Sequence, residues 1–158
     1  MWTTADLCDQ HGASLQVAQP FLRSYGGAAA FCGPIATVKV NEDNTSVRLR
    51  LQEPGMGRVL VVDGGGSLAC ALVGDQLGSL ARGNGWAGIV VNGCIRDSAA
   101  LAAMDVGVMA LATMPRKSKK RGPGEHDVVV AFAGVTFTPG YFLYADGDGI
   151  IVAPGPLN

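Results

Sequence analysis

Two dipeptides hold most of the candidate chemistry of this chain. Gly74-Asp75 and Arg96-Asp97 are separated by twenty residues, Gln76 through Ile95. A guanidinium presents a fixed fork of donors that suits a substrate carboxylate or a developing oxyanion. A carboxylate beside it suits a hard divalent cation, and magnesium needs only one or two protein carboxylates because it keeps its waters. Gly74, Asp75, Gln76 and Leu77 fall where a helix would begin. The first amides of a helix lack intrahelical partners, and together with the helix dipole they favour an anion. A guanidinium, two carboxylates and such amides in one pocket are chemically complete for making and holding an enolate. Each end alone has a plainer reading. Asp75 is then an N-cap or first-turn acid, and Asp97 or Ser98 caps the next helix while Arg96 makes a surface ion pair. The choice rests on whether the elements between them bring the two ends together.

Those elements can be read from periodicity. VLVV (59–62) and GIVV (88–91) are short, wholly apolar strands. Between them Leu77, Leu80 and Ala81 form a helical stripe that ends near Gly83 or Gly85. Asn92-Gly93 is expected to turn the chain out of the second strand. SAALAAM then reads as a helix with Ser98 as its cap, and VGVMAL as a third strand. Strand, helix, strand, helix, strand argues for parallel strands with right-handed crossovers. In such sheets ligands gather beyond the carboxyl ends of the strands, where both dipeptides fall.

The flanks read differently. Thr3 or Thr4 can cap a short helix through Ala5, Leu7 and Cys8 that stops at Gly12. AAAFCGPIATVKV and SVRLRLQ have strand character, the second by alternation of apolar and basic residues, with NEDNT as the turn between them. After the polar stretch PRKSKKRGPGEH, the segments DVVVAFAGVTF, YFLYADGDG and IIVAP read as strands with tight turns. The expected class is α/β with a layered mixed sheet, one domain over residues 1–158.

Composition narrows the function classes. Charged residues make up 16% of the chain and hydrophobic ones 48%, against about 25% charged in an average soluble domain. The charge-free run that reaches the ~18 residues of a membrane span, 128–145, is interrupted by Gly134, Pro139 and Gly140, so this sparing use of charge points to apolar surface hidden in a homo-oligomer. A net charge of −1 offers nothing to nucleic acid or an anionic membrane. The opening MWTTADLCDQHG has acids where a secretory leader needs basic and apolar residues, so a cytoplasmic protein is expected. Cys8, Cys32, Cys70 and Cys94 show neither zinc-ligand nor redox spacing and read as small buried thiols.

Other motifs carry weaker signals. Gly64–Gly66 after VLVVD looks like the glycine loop of a nucleotide or S-adenosylmethionine site, but G-x-G-x-x-G is not satisfied and a tight turn explains it better. Asp63 is either structural or faces the pocket. The basic run RKSKK, followed by Arg121, is by default a solvated loop. Its alternatives are the border of a site for multiply anionic substrates, or a dock for an acidic partner. Asp146 and Asp148 shape a turn, with too few alternating oxygens for a calcium loop. His11 and His126 have no paired ligand motif. Lys39, Lys117, Lys119 and Lys120 show no device for lowering a pKa, which argues against a Schiff-base mechanism.

VLVVDGGGSLACALVGD, GIVVNGCIRD and FLYADGDGIIV together resemble the family that joins the regulators of ribonuclease activity A to the 4-hydroxy-4-methyl-2-oxoglutarate aldolases. The resemblance runs from DLCD near the start to the final strands, and the Gly-Asp/Arg-Asp pair with its twenty-residue interval matches the aldolase branch. It implies a fold like the swivelling phosphohistidine domain, assembled as a trimer or dimer of trimers. It also implies a divalent-metal aldolase, with Mg2+ or Mn2+, that releases pyruvate from 4-hydroxy-4-methyl-2-oxoglutarate or 4-carboxy-4-hydroxy-2-oxoadipate and decarboxylates oxaloacetate. By the motif, Gly74, Asp75, Gln76 and Leu77 bind the substrate's carboxylate end, Arg96 contacts substrate and stabilises the enolate, and Asp97 is the metal ligand. Asp75 relays protons through a water or acts as the base directly. An acid from a neighbouring subunit completes the pocket in this family, with Asp146 and Asp148 as candidates here. The regulator branch instead binds and inhibits an RNA-degrading endonuclease, and its members tend to lack the paired acids that this chain keeps.

Overall fold

The computed structural model describes residues 1–157. Helix α1 (Thr4–His11) opens with the Thr3 hydroxyl accepting the Asp6 amide at 3.0 Å and stops at Gly12, as its capping residues predict. Two short strands follow, β1 (Gln16–Val17) and β2 (Arg23–Ser24), then the long β3 (Phe31–Lys39). The middle of the chain runs α2 (Thr45–Leu51), β4 (Val59–Asp63), β5 (Ala71–Val73), α3 (Asp75–Gly83), β6 (Gly88–Ile95), α4 (Ser98–Ala102) and β7 (Gly107–Thr113). The last third adds β8 (Glu125–His126), β9 (Val130–Phe132), β10 (Val135–Phe137), β11 (Phe142–Asp146) and β12 (Gly149–Ala153).

One mixed sheet is ordered β1-β12-β11-β3-β4-β6-β7-β2, with β5 added to β6 and β8 to β3. Its centre, β3-β4-β6-β7, is parallel, and β11, β12, β1 and β2 join antiparallel. The hairpin β9-β10 forms a second, small sheet. The period-2 rule explains why VLVV is apolar throughout. Leu60 and Val62 pack with Val47, Leu51, Leu77 and Ala81 of the helices, while Val59 and Val61 pack with Val130, Val135, Leu143 and Ile150 of the terminal strands. The curled sheet is therefore buried on both sides, which makes it a stiff platform for the loops at its carboxyl end.

Four local expectations are corrected. SVRLRLQ is not a strand but α2: Ser46, Val47, Arg50 and Leu51 are its buried residues, a 3.6-residue stripe that the alternation of Val, Leu and Arg concealed. Asn92-Gly93 does not turn the chain. β6 continues through it to Ile95 with an irregularity between Val91 and Cys94, because the Asn92 carbonyl accepts the Gly64 and Gly66 amides and its side-chain amide donates to Asp63. Ser98 is the first helical residue of α4 rather than its cap; Asp97 holds the cap position. Gly74 follows the three-residue strand β5, too short to show a period, and not β4 directly.

Candidate active site

The addition of β5 to β6 creates the site. The two strands are parallel, with Ala71 opposite Cys94 and Val73 opposite Ile95, so both chains leave the sheet at the same end, side by side. The Arg96 amide donates to the Val73 carbonyl at 2.9 Å and fixes the two exits. Asp97 then adopts φ 58°, ψ 42°, a left-handed turn tolerated by aspartate. That turn sends its carboxylate across to the neighbouring helix, where Oδ2 accepts the Asp75 amide at 3.0 Å. Asp97 thus satisfies an orphan amide of α3 from another element. Gly74, the residue before that helix, makes no side-chain cap.

Gly74 has to be glycine for a reason other than its dihedrals, which are extended. A Cβ built there would stand 2.6 Å from Asp97 Oδ2 and 3.4 Å from Arg96 Cγ. The missing side chain is the space that the Arg96-Asp97 pair occupies. The first i→i−4 bond of α3 runs from the Gly78 amide to the Gly74 carbonyl, so the Gln76 and Leu77 amides have no intrahelical partner.

A polar cleft of about 120 Å³ lies over this junction, and all six sequence-predicted residues, Gly74 through Leu77, Arg96 and Asp97, line it. The structure adds residues from two other elements. Asn44 and Arg48 come from the start of α2, and Lys117, Ser118 and Lys120 from the basic run. The basic side chains of that run are exposed, as expected of a solvated loop, but its backbone is threaded along the sheet's end. Ala71 and Lys117, and Asp43 and Lys119, form β-bridges, and the Lys119 amide donates to the Glu42 carbonyl at 3.0 Å. Four cationic side chains (Arg48, Arg96, Lys117, Lys120) therefore surround two carboxylates (Asp75, Asp97), a balance that favours a multiply anionic ligand. Among the described residues Arg96 makes no ion pair, and its Nη1 reaches only the Pro115 carbonyl at 3.5 Å. Ser118 is buried, and its Oγ and the Asn44 Oδ1 have no partner among the described residues. Such unpaired polar atoms are costly unless water or ligand completes them. Asn44, Arg48 and Ser118 had no motif to mark them.

The donor set fits a hard divalent cation. Asp97 commits one carboxylate oxygen to the Asp75 amide and leaves the other without a partner among the described residues. Among the described residues no three His, Cys, Asp or Glu side chains form a cage. A cation here would rest on one or two carboxylates, with water and substrate supplying the remaining ligands, as magnesium accepts.

The remaining candidates fall outside the cleft. The glycine loop is closed on itself: the Gly64 and Gly66 amides donate to the Asn92 carbonyl, that of Gly65 to Asp63 Oδ1, and that of Ser67 to the Gly64 carbonyl. Asp63 is buried and structural, and the loop offers those amides to no cofactor. A larger hollow of about 310 Å³ includes Asp146 and Asp148. There Asp146 accepts the Thr4 amide and hydroxyl at 2.8 and 2.6 Å and the Asp148 amide at 3.0 Å. Burial would raise its carboxyl pKa, but those bonds outweigh burial and hold it low, a carboxylate spent on pinning α1 to the β11–β12 turn. The four cysteines are free; Cys70 and Cys94 are buried, whereas Cys8 and Cys32 are only half-buried, short of the expectation for them.

A curled mixed α/β sheet with a carboxylate-capped helix beside an Arg-Asp turn defines an α/β protein with a polar, largely cationic cleft at the carboxyl end of its parallel strands. The chain belongs to the RraA-like family, whose profile, described as Aldolase/RraA, matches residues 4–152. It is 63% identical over 154 residues to a protein of Laribacter hongkongensis (strain HLHK9), 98% of this chain and 97% of that one. That relative is provisionally named a 4-hydroxy-4-methyl-2-oxoglutarate aldolase. A crystal structure described as an S-adenosylmethionine:2-dimethylmenaquinone methyltransferase from Geobacillus kaustophilus HTA426 superposes with a TM-score of 0.95 at 53% identity, covering 99% of this chain and 97% of that one. The RNA-processing inhibitor RraA from Thermus thermophilis superposes with a TM-score of 0.96 at 44% identity, covering 100% and 96%. Among the described residues no helix is long and apolar enough to cross a membrane.

Proposed function

We propose that this protein is a divalent-metal-dependent aldolase that cleaves 4-hydroxy-4-methyl-2-oxoglutarate, and 4-carboxy-4-hydroxy-2-oxoadipate, to release pyruvate, and that it decarboxylates oxaloacetate in the same cleft. The observation that carries the reading is the contact of Asp97 with the Asp75 amide beside Arg96, ringed by Arg48, Lys117 and Lys120. Aldol cleavage needs a proton taken from the 4-hydroxyl, scission of the C3–C4 bond, and somewhere for the electron pair to rest as pyruvate enolate. The guanidinium of Arg96 meets that developing oxyanion, where preorganised charge contributes most. The amides of Gln76 and Leu77 bind the substrate carboxylate. Asp75 holds the departing proton, directly or across one water, and returns it to the enolate carbon. Loss of carbon dioxide from oxaloacetate leaves the same enolate, so one arrangement serves both reactions. Mg2+ or Mn2+, when held by Asp97, supplies Lewis-acid polarisation of the 2-oxo acid.

The reading carries the swivelling-domain likeness, a homo-oligomer (trimer or hexamer) and a cytoplasmic location with it. The methyltransferase description of the Geobacillus structure is not transferred, since the amides of the glycine loop are bonded within the protein. Inhibition of an RNA-degrading endonuclease is the second reading. It is favoured by the 44% identity to an RNA-processing inhibitor, and pull-down of the endonuclease by an Asp97→Ala protein would detect it.

Pyruvate release from oxaloacetate and from 4-hydroxy-4-methyl-2-oxoglutarate, with magnesium or manganese and again with excess EDTA, tests the first reading. Release that depends on metal and is abolished by Asp97→Ala is expected. A folded wild-type protein that releases none from either substrate with metal present would sink the reading.

A further inference from the structure

The basic run reaches the cleft without secondary structure of its own, so something else must hold it there. The strongest tie is a single acid that the chemistry above does not use. Asp43 is 9% exposed and its two oxygens face different elements. Oδ1 accepts the Thr45 amide at 2.8 Å and the Thr45 hydroxyl at 2.6 Å, at the start of α2. Oδ2 accepts the amides of Arg121 and Gly122, immediately after Lys120. The backbone of Asp43 is also bridged to Lys119. One carboxylate therefore joins the helix that supplies Asn44 and Arg48 to the loop that supplies Lys117, Ser118 and Lys120. All four of its hydrogen bonds are accepted, which a carboxylate can do and a side-chain amide cannot.

We infer that Asp43 is a positioning residue, a clasp that fixes the 117–122 loop against the start of α2 and so sets the cationic rim of the cleft. The inference deepens the proposed function by naming what positions its anion-binding groups, and it rests on that reading for the ligand. In Asp43→Asn the amide nitrogen must face N–H donors on one side or the other, so one half of the clasp opens. Arg96, Asp97 and the α3 amides are held by the β5–β6 pairing and stay in place. The effect expected is on ligand capture rather than on the chemical step.

The test compares full-length wild type and Asp43→Asn. Amide hydrogen exchange should accelerate at least about tenfold over residues 117–122 and stay unchanged at Asp75. Calorimetric titration with oxalate, with magnesium present, should show binding weakened about tenfold. With oxaloacetate, KM should rise by a similar factor while kcat stays within about threefold, a split that a general loss of structure would not give. Unchanged exchange over the loop, or accelerated exchange with unchanged oxalate binding in a wild type that binds it, would overturn the inference. Should Asp43→Asn fail to fold, Thr45→Val removes one of the four donors and must move the same readouts in the same direction, by about threefold. A wild type that neither binds oxalate nor releases pyruvate would refute the functional reading, and the exchange comparison alone would then decide the clasp.

Discussion

At the scale of single residues, the site depends on one absent side chain and one unusual turn. The backbone of Gly74 is extended, so alanine would fit its dihedrals, yet a methyl group there lies 2.6 Å from Asp97 Oδ2. Gly74→Ala is therefore expected to fold, with Tm within a few degrees of wild type, while pyruvate release falls at least about tenfold because Asp97 is pushed off the Asp75 amide. Paired thermal melts and kinetics would check this; a variant with full activity would remove the contact from the account. Arg96 is tethered only weakly, to the Pro115 carbonyl, so Arg96→Ala should cost little stability. It should nevertheless lower kcat by about a hundredfold or more, the size of loss seen when an oxyanion donor is removed.

At the scale of elements, α2 shows how a tertiary contact settles an ambiguous local sequence. Thr45–Leu51 alternates well enough to pass for a strand, but Val47 and Leu51, four apart, are both fully buried against the central strands. The first turn is held by Asp43, whose carboxylate accepts the Thr45 amide. Arg50 lies along the buried face with its guanidinium paired to Asp127 at 2.9 Å and Glu53 at 3.2 Å. Its aliphatic stem packs while its charge is neutralised. Leu51→Ala should destabilise the protein by about 2–5 kcal/mol in denaturant unfolding, the range for a leucine deleted from a closed core. A strand reading would instead put Leu49 inward, and Leu49 is exposed. Leu49→Ala should accordingly change stability by less than about 0.5 kcal/mol.

At the scale of the whole molecule, three carboxylates join segments far apart in sequence, and each stays ionised to lower pH than an ordinary aspartate. Burial would raise the Asp43 pKa, but its hydrogen bonds from Thr45, Arg121 and Gly122 prevail and bring it to about 2. The Arg50 guanidinium lowers that of Asp127, and Thr4 that of Asp146. A depressed folded-state pKa stabilises the fold above the unfolded value and stops doing so as pH falls through the folded one. Stability should thus be level near neutrality, decline below roughly pH 4, and keep declining to about pH 2. Thermal unfolding followed across that range would show it, and Asp43→Asn should flatten part of the slope. A wild-type Tm that does not change between pH 5 and about pH 2.5 would contradict the linkage.

Much of this was written into the sequence. Apolar runs such as VLVV and GIVV can be buried on both faces only as central strands, and Thr3, Gly12, Leu77 and Ala81 mark α1 and α3 by local rules of capping and period. The six candidate residues of Gly74–Leu77 and Arg96-Asp97 were visible because charged groups at strand ends are few in a chain so sparing of charge. What only the tertiary structure decided was adjacency. The three-residue β5 is too short to announce itself, yet its pairing with β6 places Gly74 beside Arg96 and turns a twenty-residue interval into a contact. The basic run reads as solvated because a lysine stretch has no period, and its backbone is held through bridges to Asp43 and Ala71 that lie 76 and 46 residues away in sequence. Periodicity reports which face of an element is buried; it carries no information on which distant backbone group accepts a hydrogen bond, and the rim of this cleft is built from such bonds.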